Sequence, residues 1–166
     1  LRTALDDLAR GIAESVNALH TTGTNPNGTT GIDFFDVSGG LANVTAGSIS
    51  LDAAILADAD NVSAGTADGG GAYQPGANDV ALALAGLRTA GSPGYLGGST
   101  AGEAYRSLVT QVGLAVNVVS TDVAAGESLR AAALERRESL VGVSTDEELV
   151  KVIQFQAAYA ASAKIV

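Results

Sequence analysis

Three stretches of this chain place an apolar residue at every third or fourth position. In the first, Leu1, Leu5, Leu8, Ile12, Val16 and Leu19 recur at those steps, with Asp6, Asp7, Arg10 and Glu14 off the line. In the second, Tyr105, Leu108, Val109, Val112, Val116, Val119 and Val123 continue through Leu129, Ala133 and Leu140. In the third, Leu149, Val152, Ile153, Gln156, Ala160 and Ala163 do the same. Steps of three and four close into one stripe only on an α-helix. The stripes are narrow, like coiled-coil seams, and a seam is stable only when another surface covers it. Apolar residues make up 46% of the chain but aromatic ones only 4%, so the filling is alanine and valine and the elements must approach closely. Closely packed helices meet that demand better than a broad β-sandwich.

The punctuation agrees. Thr21-Thr22-Gly23 ends the first helix, and Thr100 with Glu103 has the spacing of a capping box at the start of the second. Val141 to Ser144 interrupts it; Ser144 with Glu147 predicts a second capping box, and Asp146, Glu147 and Glu148 crowd a first turn where the helix dipole favours negative charge. Between 23 and 98 the texture changes to turns, with glycine-rich runs at 64–77 and 90–98. Phe34 and Phe35 are expected to anchor this region, Ser48 to Leu51 to form a short strand, and Ile55, Leu56 and Val62 to pack onto a helical layer. Asn78 or Asp79 is expected to cap a short helix, and 64–77 to be the most mobile loop. The expectation is one mainly α domain over 1–166: an elongated helical bundle or coiled-coil-like rod, with helices at 1–20, 99–140 and 144–166 and a small irregular β-containing insertion at 23–98. Neither end carries a stop or start signal and the chain has no methionine, so a piece of a longer protein is expected.

Little in the composition supports chemistry. The chain has no cysteine, which removes thiol nucleophiles, disulfides and cysteine–metal sites. A net charge of −9 argues against nucleic acid, whose phosphates require clustered Lys and Arg. No uninterrupted apolar run approaches the ~18 residues of a membrane span. His20 is the sole histidine, no Gly-x-Ser-x-Gly elbow accompanies it, and its place at a helix end suits an interaction with the last carbonyls. Asp58-Ala59-Asp60-Asn61 fails the calcium-loop pattern, because Val62, Ser63 and Gly69 stand where a ligand, glycine and glutamate are needed. No catalytic residue, cofactor or metal is expected.

The residues do match a family pattern. Gly142-Val143-Ser144, Asp146-Glu147-Glu148-Leu149, Gln154-Phe155-Gln156 and Tyr159 to Lys164 resemble the C-terminal end of bacterial flagellar axial proteins. Asn17-Ala18-Leu19-His20, Gly23, Asn27-Gly28, Gly31 and Phe34-Phe35 are similar to a block of the hook-associated protein 1 family, the hook–filament junction proteins, and Gly76, Asn78, Ala81, Leu82, Leu84 and Leu87 resemble a further block. Two departures stand out: Gly76-Ala77-Asn78 replaces the usual Gly-Asp-Asn, and the loop 64–77 has no counterpart.

The resemblance implies a non-catalytic structural subunit at the junction of hook and filament, exported by the flagellar type III apparatus to the outside of the cell and serving motility. It implies self-association, contacts with hook and with the second junction protein, an export chaperone for terminal coils, and no nucleic acid or membrane insertion. Helix packing would use Leu1, Leu5, Leu8, Ile12, Val16, Leu19, Leu149, Ile153, Gln156, Ala160 and Ala163. The motif positions are Asn17, His20, Gly23, Gly28, Gly31, Phe34, Phe35, Gly142, Asp146, Glu147, Glu148, Gln156 and Tyr159. The alternatives are another axial protein, hook or flagellin-like, and a flagellum-associated peptidoglycan hydrolase, which would need a carboxylate pair in a cleft.

Overall fold

The structure is a computed structural model and describes residues 1–142 and 145–164. Among the described residues there are five α-helices: α1 (Arg2–His20), α2 (Ala53–Ala57), α3 (Asp79–Gly86), α4 (Ala101–Val141) and α5 (Thr145–Ser162). Three single 3-10 turns, at Leu41–Asn43, Ala59–Asn61 and Gly94–Leu96, punctuate the connections. The fold is mainly α, as the stripes predict. The expected strand at 48–51 is reduced to one antiparallel bridge between Phe35 and Leu51, flanked by Asp36 N donating to Ser50 O at 2.9 Å and Asp52 N to Phe34 O at 3.0 Å.

The chain divides into two units, Leu1–Leu114 and Ala115–Val166. The first is built around α1, which packs against α3 and the turns at 41–43 and 94–96. The buried positions of α1 are Ala9, Gly11, Ala13, Ser15, Asn17 and His20, which are small or polar. The apolar stripe lies between them. At 3.6 residues per turn, Ala9, Ala13, Asn17 and His20 fall on one side of it and Gly11 and Ser15 on the other. Loops close on both flanks, and close approach demands small side chains: a Cβ on Gly11 would collide with the side chain of Leu96. Leu8, Ile12, Val16 and Leu19 are left half-buried between these walls, while Leu1 and Leu5 are exposed.

Caps follow the sequence in part. Thr100 and Glu103 form the expected capping box: Glu103 N donates to Thr100 Oγ1 at 3.1 Å and Thr100 N donates to Glu103 Oε2 at 2.9 Å. Asn78 precedes α3 without a side-chain cap, and Asp79 instead accepts from Thr66 N at 2.9 Å and Thr66 Oγ1 at 2.8 Å, closing the 64–77 loop across its base. Ile55 is buried as expected, but Leu56 is 70% exposed, because α2 is only five residues long and has one covered face. α4 runs through Gly126 and ends at Val141, so the interruption falls where the sequence places it. The expected cap Ser144, with Val143, lies outside the described residues, as does Val166.

The second unit holds the remainder of α4 and all of α5. Every described residue in it is exposed, including Leu129, Leu149, Ile153, Phe155 and Tyr159.

Candidate assembly surfaces

The first unit's polar framework radiates from the end of α1. Asn17 Oδ1 accepts from Phe34 N at 3.0 Å and Phe35 N at 2.8 Å, and its Nδ2 donates to Phe35 O at 2.9 Å. An asparagine side chain carries the same donor and acceptor pair as a peptide group, so Asn17 extends the bridge at Phe35 as one more backbone would. His20 is fully buried. Its Nδ1 lies 2.7 Å from Ile32 O, and Ser63 N donates to its Nε2 at 3.0 Å. A carbonyl only accepts and an amide N–H only donates, which assigns the proton to Nδ1. Its ring meets Phe34 edge-on at 5.4 Å, and Phe34 meets Phe35 at 5.1 Å.

This corrects the sequence expectation for His20. The last carbonyls of α1 are taken by Thr21 Oγ1, donating to Asn17 O, and Thr22 Oγ1, donating to Leu19 O, each at 2.7 Å. With these carbonyls taken, the imidazole joins two distant loops instead. Gly23 then passes so close to the loop that a Cβ there would lie 2.5 Å from Ser63 Cβ. Gly28 and Gly31 hold φ of +77° and +84°, the left-handed region that glycine adopts at low cost. Five motif positions separated in sequence, Asn17, His20, Gly23, Phe34 and Phe35, are therefore one structural knot.

Three further asparagines, of which only Asn27 belongs to the motif, extend it. Asn25, fully buried, donates from Nδ2 to Asn61 Oδ1 at 2.9 Å, and Asn27 Nδ2 donates to the same oxygen at 3.1 Å and to Asp58 Oδ2 at 3.0 Å. Asp58 accepts from Asp60 N at 3.0 Å and so starts the 59–61 turn. Among the described residues no group of His, Asp and Glu could hold a metal ion.

Four carboxylates lie below their ordinary range. Glu103 is lowered first by the Thr100 amide and then by its hydroxyl, Asp79 by the Thr66 amide and then its hydroxyl. Asp68 is lowered by the Ala72 and Gly70 amides, and Asp36 by the hydroxyl and amide of Ser38. Each is explained by a cap or turn.

The packing positions named from sequence fall in two groups. Ile12 and Val16 line a mainly apolar groove of about 380 Å³ together with Leu84, Leu87, Leu96, Arg88 and Arg106. Leu149, Ile153, Gln156, Ala160 and Ala163 lie exposed in the second unit, with Tyr159 exposed there too. Asp146, Glu147 and Glu148 occupy the first turn of α5, where Lys151 Nζ lies 3.1 Å from Glu148 Oε1. Gly142 N donates to Glu138 O at 2.6 Å, finishing α4. A stretch within 101–162 is long and apolar enough to cross a membrane by length and composition. The sequence criterion missed it because Ser, Thr, Asn and Gln break the apolar run while hardly any charge does.

The fold is thus helical, and its long helices α4 and α5 present uncovered apolar side chains. The chain is 28% identical over 165 residues to flagellar hook-associated protein 1 of Bacillus subtilis strain 168, covering 98% of this chain and 32% of that protein. The chain thus spans about a third of the length of the curated relative it matches. No family model matches, and no solved structure matches. The similarity runs along nearly the whole of this chain.

Proposed function

We propose that the chain is part of a structural subunit at the junction between hook and filament of the bacterial flagellum, acting through helix packing with neighbouring subunits and without catalysis. The observation that carries this reading is the similarity to a hook-associated protein along nearly the whole chain, from the knot at the end of α1 to the exposed helix α5. The uncovered side chains of α4 and α5 support it physically. Isolated helices are marginal in water, and most of their stability comes from packing an apolar face.

On this reading the subunit is exported by the flagellar type III apparatus, is bound by a chaperone before export, and meets hook, the second junction protein and its own copies outside the cell. The exposed helices are covered by protein and not by lipid. Deletion in the source organism tests the proposal. Intact hooks, no filaments and flagellin released as monomer are expected; filaments of normal length would overturn it. Release of sugars from peptidoglycan by the purified chain would favour the hydrolase alternative instead.

A further inference from the structure

Asn27-Gly28 is the sole Asn-Gly step of the chain. Asparagine is thermolabile because the amide nitrogen of the next residue can attack its side-chain carbonyl. The other asparagines precede Ala, Pro, Val, Val, Asp and Val; proline has no N–H, and β-branched valine crowds the approach. Glycine leaves the approach open. Asn27 is exposed, Gly28 holds φ of +77°, and a Cβ built on Gly28 meets nothing within 4 Å. Sterics therefore do not protect the pair.

Hydrogen bonds hold it instead. Asn27 Nδ2 donates to Asp58 Oδ2 at 3.0 Å and to Asn61 Oδ1 at 3.1 Å, which uses both of its hydrogens. Gly28 N, the attacking atom, donates to Asn25 O at 2.9 Å. Asn25 is fixed in turn: its Nδ2 donates to the same Asn61 oxygen at 2.9 Å, and Thr29 N donates to its Oδ1 at 2.7 Å. Asn61 Nδ2 donates to Ala54 O at 2.9 Å. The carbon to be attacked and the attacking nitrogen are thus tied to different partners, and both ties lead to Asn61.

We propose that Asn27 is a deamidation site and that the Asp58–Asn61 cluster is the latch that sets its rate. When the latch opens, Gly28 N bonds to Asn27 Cγ and the Cγ–Nδ2 bond breaks. Ammonia leaves with the proton from Gly28 N, and a cyclic succinimide remains. Water then opens either ring carbonyl, giving aspartate or, with the backbone routed through the side chain, isoaspartate. The product cannot re-form the latch. A carboxylate at position 27 only accepts, so it faces the Asp58 carboxylate and the Asn61 oxygen with like charge and no donor. Isoaspartate also lengthens the backbone inside the Asn25–Gly28 turn. Opening is thereby made permanent, and residue 27 records how long the loop has been open. Nothing in this chemistry depends on flagellar assembly.

Peptide-resolved mass spectrometry of the whole chain, held at mildly alkaline pH and body temperature, reads the reaction as a gain of about 1 Da at Asn27. Ring closure at Asp68-Gly69 loses a water that hydrolysis returns, so it leaves the mass unchanged. The folded chain is expected to react at Asn27 before any other asparagine. It should do so at least about tenfold more slowly than the chain in urea, because opening breaks these bonds first. Asp58→Ala removes one partner of Asn27 and is expected to raise the folded rate about threefold or more. Unchanged amide exchange at Phe34 and Phe35 shows that the variant keeps the first unit folded. Asn27→Asp, the hydrolysis product, should melt about 2–4 °C lower than wild type. Adding Asp58→Asn should restore most of that loss, since its amide can donate to the new carboxylate. A first gain at another asparagine, equal rates in buffer and urea, an Asp58→Ala rate that is unchanged or lower, or wild-type melting of Asn27→Asp would each overturn the proposal.

Discussion

Asn17 and Phe35 exchange a pair of hydrogen bonds, Phe35 N to Asn17 Oδ1 at 2.8 Å and Asn17 Nδ2 to Phe35 O at 2.9 Å. The last turn of a helix is thereby tied to an irregular segment 18 residues away with the chemistry of a sheet ladder. Asn17→Ala leaves two amides and a carbonyl without partners in a mostly buried site, and a loss of about 2–3 kcal/mol is expected. Asn17→Asp keeps the acceptor and loses the donor, and should fall between. Urea unfolding followed by tyrosine fluorescence, with amide exchange at Phe34 and Phe35, measures both; wild-type exchange in Asn17→Ala would refute the assignment.

His20 contacts two loops through different nitrogens, which separates its variants. The Asn amide can replace Nδ1 toward Ile32 O and the Gln oxygen can replace Nε2 toward Ser63 N, whereas Ala replaces neither. Ala is expected to be the worst of the three, by roughly one buried hydrogen bond, about 1–3 kcal/mol. Equal melting temperatures for all three would mean that the ring serves only by its volume.

Gly23 and Gly39 form a matched pair of tests. A methyl group on Gly23 meets Ser63 Cβ at 2.5 Å and Gly65 O and Val80 Cγ2 at 3.2 Å, while one on Gly39 meets nothing within 4 Å. Gly23→Ala should cost about 1–3 kcal/mol as overpacking, and Gly39→Ala should lie within roughly 0.5 kcal/mol of wild type. Thermal melts of the two variants decide it.

Acid should loosen the caps in a defined direction. Glu103 and Asp79 are depressed in the folded chain by the amides and hydroxyls of Thr100 and Thr66. Their contribution is therefore fully present above the ordinary carboxylate values of 4.5 and 3.8 and is lost as pH falls through the lower folded values. Glu103→Gln should therefore lower the melting temperature most at neutral pH and flatten its pH dependence below pH ~4.5, where the wild type loses the same contribution. Thr100→Ala, which removes the cap itself, should cost about 1 kcal/mol at neutral pH.

Phe155 and Tyr159 are 75% and 80% exposed. Replacing either with serine should change the stability of the isolated chain by no more than about 0.5 kcal/mol. In the organism the same replacement is expected to reduce filament formation, since the face serves assembly. Normal motility in both variants would count against a covered α5.

The sequence by itself determined the long helices and the ends of α1 and α4, though not the short helix α2 or the reduction of the strand at 48–51 to one bridge. Periods of three and four, the Thr100–Glu103 box and the glycines after α1 are local signals, and local hydrogen bonding enforces them in any tertiary setting. The motif residues Asn17, His20, Gly23, Phe34 and Phe35 were legible as a pattern but not as a knot, because nothing in their spacing says that Ser63 supplies the donor for His20. Asn25, an ordinary turn residue in the sequence, became a buried partner of Asn61 for the same reason. Only the tertiary structure decided which face of α1 is covered. Hydrophobicity alone assigns the core to Leu5, Leu8, Ile12 and Val16. The loops, whose backbone must stay hydrogen-bonded, close instead on Ala13, Ser15, Asn17 and His20, where small or polar side chains permit contact, and leave the apolar stripe between them only partly covered.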